Sequence, residues 1–134
     1  SGHRVRIVFL PADEGEFSVK ADKKQIIRVL NNLLTNAVQA LEQSDEPRIE
    51  IELIRESNML RVSVKDNGPG ISEEQKPRIF MPNFSTKSEG MGLGLAMVKS
   101  IIDSHGGSIW FLSREGEGAS FYFELPESRP ESRE

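Results

Sequence analysis

The spacing of apolar residues along the chain changes from one stretch to the next. Arg4 to Leu10 reads as a strand, and Phe17 to Val19 as a shorter one. From Ile26 the spacing lengthens. Ile26, Leu30, Leu33, Ala37 and Leu41 recur at intervals of three and four, with Ile27, Leu34 and Val38 widening the stripe. That is a long amphipathic helix, and Asp22 is its expected N-cap. Pro47 closes the connection to the next element. The period then falls to two. Ile49, Ile51 and Leu53 alternate with Glu50 and Glu52, and Leu60, Val62 and Val64 alternate with Arg61, Ser63 and Lys65. With Glu56-Ser57-Asn58 between them, these runs form a hairpin.

Residues 67–91 hold many Gly, Pro, Ser and Asn, and periodicity is lost except for a short helical turn expected near Glu73. Irregular segments of that length inside a compact domain are usually functional or mobile. Order returns at Gly92. Leu95, Val98, Ile101, Ile102 and His105 share one helical face, and Gly106-Gly107 supplies the stop. A second hairpin closes the pattern, with Ile109 to Leu112 as one arm and Phe121, Phe123 and Leu125 alternating along the other. Trp110 and these phenylalanines read as core. The fold class expected is α/β (α+β). The expected architecture is a two-layer sandwich whose mixed, mostly antiparallel sheet is covered on one face by about three helices. Residues 1–126 form one domain, and the charged, proline-containing stretch 127–134 reads as a disordered tail.

Composition narrows the function classes. The 134 residues suit a single domain with a real core. Cysteine is absent, which removes disulfides and thiolate metal sites and suits a reducing, cytoplasmic setting. Net charge is −4 with the two signs interleaved, so no basic stripe invites nucleic acid. No apolar run approaches the roughly 20 residues needed to span a bilayer, so no direct membrane contact is expected.

Three clusters carry candidate chemistry. Asn31, Asn32 and Asn36 lie within the long helix, where Asn is a poor interior residue. Asn32 and Asn36 point together, away from the centre of the apolar stripe. Their amide oxygens suit a Mg²⁺ ion that already carries phosphate, although a solvated helix face explains them as well. Asp66 shares the parity of Leu60, Val62 and Val64, so its carboxylate points inward and needs a donor. An adenine amino group would serve, and Gly68 and Gly70 would let a flat base approach the backbone. A plain turn ending a strand is the competing reading. Gly90-Met91-Gly92-Leu93-Gly94 runs into a helix, a phosphate-binding arrangement or else a hinge, with Lys87 just upstream. His105, on an apolar face before the helix stop, reads as packing or as a complement to the helix dipole.

In order, these pieces resemble the catalytic ATP-binding domain of bacterial two-component sensor histidine kinases. Asn32-Leu33-Leu34-Thr35-Asn36-Ala37 resembles their N box, Asp66-Asn67-Gly68-Pro69-Gly70 the G1 box, and Ile79 to Lys87 the F box. Gly90 to Leu95 resembles the G2 box, and Gly116-Glu117-Gly118-Ala119 the last glycine box. In its details the match is most similar to the nitrogen-regulation type. The resemblance implies the Bergerat ATP-binding fold, with ATP and Mg²⁺ as cofactors. It implies Mg²⁺ held chiefly by Asn36, Asn32 near the phosphates and adenine bonded by Asp66. A lid from about Pro77 to Met91 would close over the triphosphate and carry Lys87 to it. Asn32, Asn36 and Lys87 are then the catalytic set. The binding set adds Asp66, Gly68, Gly70, Ile71, Phe80, Thr86, Gly90, Met91, Gly92, Leu93, Gly94 and Leu95.

The implied activity is transfer of the γ-phosphate to a histidine on a separate dimeric helical hairpin of the parent protein, then to a response regulator. Neither His3 nor His105 has the acceptor's acidic neighbour, so this piece alone is expected to lack the acceptor and to be monomeric. The parent could be anchored in the inner membrane. Gln39 stands where many relatives have lysine, and Asn83 where many have an aromatic residue. Three other readings compete. ATP-hydrolysing relatives carry a glutamate general base where this chain has Asn32, and an amide cannot play that part. A nucleotide-binding regulatory module without kinase activity and a serine-directed kinase of the anti-sigma type are the others.

Overall fold

A computed structural model describes residues 5–11, 19–82 and 94–128, without the side chains of 8–11. Five strands form one sheet: β1 (Arg6–Pro11), β2 (Arg48–Glu56), β3 (Met59–Asp66), β4 (Ser108–Ser113) and β5 (Ala119–Pro126). Their order across the sheet is β1-β2-β3-β5-β4. β1 runs parallel to β2, and every other pairing is antiparallel, as expected for a mixed sheet. The β2–β3 hairpin turns on Ser57 and Asn58, both at positive φ (54° and 66°). A two-residue turn of that kind matches the twist of its strands. Val19 makes an isolated antiparallel bridge with Glu127, whose carboxylate also accepts from Arg55 Nε at 2.7 Å and from Arg55 Nη2 at 2.8 Å.

Helix α1 (Lys23–Ala40) and helix α2 (Leu95–Ser104) pack on one face of the sheet. Asp22 caps α1, its Oδ1 accepting from the amides of Lys24 and Gln25 at 3.0 and 3.3 Å. α2 ends as the Gly-Gly pair predicts: Gly107 N donates to Ile102 O at 3.0 Å, and Gly106 sits at φ 77°. Between 72 and 78 a 3-10 turn at Lys76–Arg78 stands in place of a third α-helix, so two α-helices are present among the described residues. Pro77 supplies no amide hydrogen to extend it.

The buried stripe of α1 is rotated from the one read off the sequence. Val29, absent from that stripe, is fully buried with Leu33, Ala37 and Leu41, whereas Ile27 is 45% and Val38 39% exposed. Trp110 is a second correction. It pairs with Tyr122, on the opposite parity from Phe121 and Phe123, and so lies on the face away from the helices. There it stacks on Tyr122 with ring centroids 5.4 Å apart, and the Arg61 guanidinium lies 5.6 Å from its ring centroid. Arg61 is held there by Glu124 at 2.9 Å.

Candidate functional site

A cavity of about 270 Å³ opens between α1, the ends of β3 and β5 and the start of α2. Its floor is apolar: Leu33 and Ala37 of α1, Val64 of β3, Ile79, Leu95 and Phe121. Polar groups enter from two sides. From α1 and the turn after it come Asn36, Gln39, Glu42 and Gln43; from the end of β3 comes Asp66, with Pro69, Gly70 and Ile71 forming the adjoining rim. An apolar enclosure with a few convergent polar groups is the usual form of a small-ligand site.

Asp66 reaches this position because β3 alternates: its carboxylate falls on the helix-covered side, where it is 6% exposed. Burial raises its pKa from the ordinary carboxylate value, opposed by hydrogen bonds from the Gly68 and Ala119 amides. The Gly68 amide donates to Asp66 Oδ1 at 2.9 Å. The turn that follows is locked from three directions. Asn67 Oδ1 accepts from Arg48 N at 2.8 Å, and its Nδ2 donates to Glu46 O at 2.9 Å. Ile71 N donates to Ser113 Oγ at 2.8 Å, which in turn donates to Gly118 O at 2.9 Å. Gly116 N donates to Pro69 O at 2.6 Å. Gly70 and Gly118 both have positive φ, and a Cβ on either would strike backbone: Arg114 O for Gly70, Asp66 O for Gly118. Gly70 in the turn after β3 and Gly118 in the β4–β5 turn thus let the two turns press together and hold Asp66 still.

On α1, Asn32 and Asn36 do share a side, but their surroundings differ. Asn32 Nδ2 bonds back to Arg28 O at 2.9 Å, and its Oδ1 lies against Gly94, where a Cβ would collide with it. Asn36 lines the cavity, and its buried Nδ2 finds no hydrogen-bond partner among the described residues. Gly94 caps α2 in the left-handed region at φ 88°.

Of the residues singled out from the sequence, Asn36, Asp66, Gly70, Ile71 and Leu95 line the cavity. Gly68 sits behind Asp66, where a Cβ would crowd Ala40 O. Asn32 and Gly94 meet beside the cavity. Phe80 is not on its wall. It packs edge-on against Phe111 and Phe121, with centroids 5.8 and 6.4 Å away, and so supports the floor from behind. Thr86, Lys87, Gly90, Met91, Gly92 and Leu93 lie outside the described residues. Gln39, Gln43 and Gln75 also line the cavity, though none is a candidate site residue from the sequence, where Gln39 stands out only for its departure from lysine. A signal was present for two of them: Asn32, Asn36, Gln39 and Gln43 recur at four, three and four, an amide stripe beside the apolar one.

The sequence from residue 21 to 129 matches the family described as Histidine kinase-, DNA gyrase B-, and HSP90-like ATPase. The chain belongs to that family. Its likeness within the family is to sensor histidine kinases. The catalytic domain of histidine kinase ThkA superposes with a TM-score of 0.80 and 41% identity, covering 92% of this chain and 79% of that one. ThkA in complex with response regulator protein TrrA also matches, at a TM-score of 0.76 and 38% identity, over 92% of this chain and 34% of that one. The adaptive-response sensory kinase SasA of Prochlorococcus marinus is 39% identical over 123 residues, 87% of this chain and 31% of that protein. Sensor histidine kinase ZraS of Escherichia coli is 42% identical over 108 residues, 81% of this chain and 23% of that protein. The chain thus spans about a quarter to a third of the length of these curated relatives. As a histidine-kinase-like ATPase domain it has the expected α+β layers, and its cavity lies where α1 faces the Asp66 turn.

Proposed function

We propose that this domain binds Mg-ATP in the cavity and donates the γ-phosphate to a histidine on a separate helical hairpin of its parent protein, in nitrogen-regulation-type two-component signalling. The observation that carries the reading is the buried Asp66 carboxylate, fixed at the end of an apolar slot of about 270 Å³. A carboxylate held there accepts from the adenine amino group, and Val64, Ile79, Leu95 and Phe121 supply flat apolar walls for the ring. The phosphates would run toward Asn36 and Asn32. Among the described residues no group of three or more His, Cys, Asp or Glu could hold a metal ion. The neutral amide oxygen of Asn36 suits a divalent cation that arrives already paired with phosphate. Bound Mg²⁺ would neutralise charge on the triphosphate. Asn36 orients it, Asn32 holds the α2 N-terminus beside it, and that N-terminus favours negative charge. Phosphoryl transfer asks for positioning and charge neutralisation more than covalent help. An amide at position 32 offers no base for water, so transfer to a partner is favoured over hydrolysis. Lys87 is proposed to reach the phosphates from the lid.

The acceptor hairpin and a response regulator are the proposed partners, and a cytoplasmic setting is proposed for a domain acting as a monomer. Among the described residues no helix is long and apolar enough to cross a membrane. The test is incubation with γ-labelled ATP, alone and with the parent's helical hairpin. Acid-labile, base-stable label on the hairpin and none on this domain is the expected result. Label on this domain alone, or release of phosphate without transfer, overturns the reading.

A further inference from the structure

One wall of the cavity is built by the segment after the Asp66 turn, through Ile71, Gln75 and Ile79. Their spacing of four repeats one helical face, yet no α-helix holds the segment together. Gln75 N and Lys76 N both donate to Ser72 O, at 3.0 and 3.1 Å. Pro77 then interrupts the ladder, which resumes as the 3-10 turn Lys76–Arg78. So short a run takes its position from its anchors rather than from its own hydrogen bonds. Two hydrogen bonds from it reach the sheet at Ser113, the last residue of β4. Ser113 Oγ accepts from Ile71 N at 2.8 Å, and Ser113 O accepts from Lys76 Nζ at 2.6 Å. Lys76 Nζ also donates to Glu73 Oε2 at 2.7 Å, but the Glu73 side chain is 78% exposed, so water screens that pair. The Lys76 side chain is only 25% exposed, and its bond to the Ser113 carbonyl is short and charge-assisted.

We propose that Lys76 is a positioning residue for adenine binding: by clamping its segment to Ser113 it sets where the wall of Ile71, Gln75 and Ile79 stands relative to Asp66. This rests on the ATP reading above and adds a residue that is not itself on the cavity wall. Ser113 makes the connection because both sides of the slot refer to it. Its hydroxyl donates to Gly118 O at 2.9 Å, and Gly118 packs so closely on the Asp66 backbone that a Cβ would strike Asp66 O. The wall and the carboxylate are thus fixed from one point. Releasing Lys76 frees the wall while Asp66 stays in place, and the grip on a flat ring between them loosens. The phosphates are assigned elsewhere, toward Asn36 and Asn32, so the loss falls on the base alone.

The experiment is calorimetric titration of the full chain with AMP, ADP and ATP in the presence of Mg²⁺, beside thermal melting of each variant. Lys76→Met keeps the stem and removes the donor. It should bind all three nucleotides more weakly by one common factor of roughly ten. Lys76→Arg, which still offers a charged donor, should stay within about twofold of the wild type. Ser113→Ala should also weaken all three, and Lys76→Met with Ser113→Ala should lose less than the product of the two single factors, because both release the same wall. His105→Phe, a destabilising change far from the cavity, shows how much affinity is lost through stability alone. Unchanged affinity in Lys76→Met overturns the proposal. So does a loss that grows from AMP to ATP, which makes Lys76 a charge acting on phosphate. A loss that Lys76→Arg shares, factors that simply multiply in the double variant, or a loss no larger than that of His105→Phe at an equal fall in melting temperature overturns it as well. Failure of the wild type to bind any adenine nucleotide instead sinks the ATP reading itself.

Discussion

Gly94, at the N-cap of α2, lies directly against the side-chain oxygen of Asn32 in the middle of α1. The contact is so close that a single methyl on Gly94 would overlap that oxygen. Two helices more than fifty residues apart in sequence are thereby brought together at the edge of the cavity. The φ of 88° at Gly94 is a second reason for glycine, since a side chain is strained there. Gly94→Ala should therefore cost on the order of 1–2 kcal/mol and push Asn32 aside. ATP affinity should fall more than AMP affinity, because the displaced group serves the phosphates. Equal titration curves for wild type and variant with both nucleotides would remove Asn32 from the site.

Asn36→Ala separates metal from base. The variant should bind Mg-ATP far more weakly than the wild type, and the gap should close when titrations are repeated in chelator. A loss of the same size without metal would mean that Asn36 serves the nucleotide directly.

Asp66→Ala removes a charge-assisted hydrogen bond of roughly 1.5–3 kcal/mol, so ADP and ATP should both bind roughly ten- to a hundred-fold more weakly. GTP should bind poorly even to the wild type, since guanine turns a carbonyl oxygen toward the carboxylate. pH gives an independent check. Burial raises the Asp66 pKa, so its proton is bound more tightly in the folded than in the unfolded chain. Its ionisation therefore costs stability. That cost is absent below the unfolded pKa and complete once pH has risen through the raised folded value. Nucleotide affinity should move the other way, falling on acidification as the acceptor is protonated. Melting temperature and ATP affinity followed across mildly acid pH, for wild type and Asp66→Asn, would show both trends in the wild type and neither in the variant.

His105 joins the two helices at their far ends. Its Nε2 accepts from the backbone amide of Asp22, the α1 N-cap, at 3.2 Å, while Nδ1 lies 2.8 Å from Ile101 O and donates to it. His105→Phe keeps the ring and removes both bonds. About 1–2 kcal/mol of stability should be lost, lowering the melting temperature by several degrees, with ATP affinity unchanged because the cavity does not include position 105. A fall in affinity without a fall in melting temperature would give His105 a role in binding instead.

Val29 and Ile27 test the rotation of α1. Val29→Ala empties a fully buried site and should cost about 1.5–3 kcal/mol. Ile27→Ala, on a residue 45% exposed, should cost about 0.5 kcal/mol or less. Denaturant midpoints of the two variants measure the difference directly, and similar losses would return Ile27 to the core.

The local elements were legible in the sequence because they rest on local rules. Asp22 as cap, the period-two hairpin and the Gly106-Gly107 stop each depend on a few neighbouring residues. The inward turn of Asp66 follows from the two-residue repeat of a strand, which admits one answer. Helix faces are less sharply coded. An apolar run such as Ile26-Ile27 with Val29-Leu30 allows several overlapping stripes, and packing against β3 and α2 chose the one containing Val29. Trp110 went to the open face because its register with Tyr122, set by the whole hairpin, outweighed its apolar character once Arg61 and Tyr122 gave it partners there. The cavity itself belongs to the tertiary structure. Gln39 and Gln43 follow Asn36 at ordinary helical spacing, and nothing in that spacing distinguishes a solvated amide from a buried one. Only when β3, the Asp66 turn and α2 close around that side of α1 does water leave. Gln39 Oε1 is then buried against the cavity without a partner among the described residues.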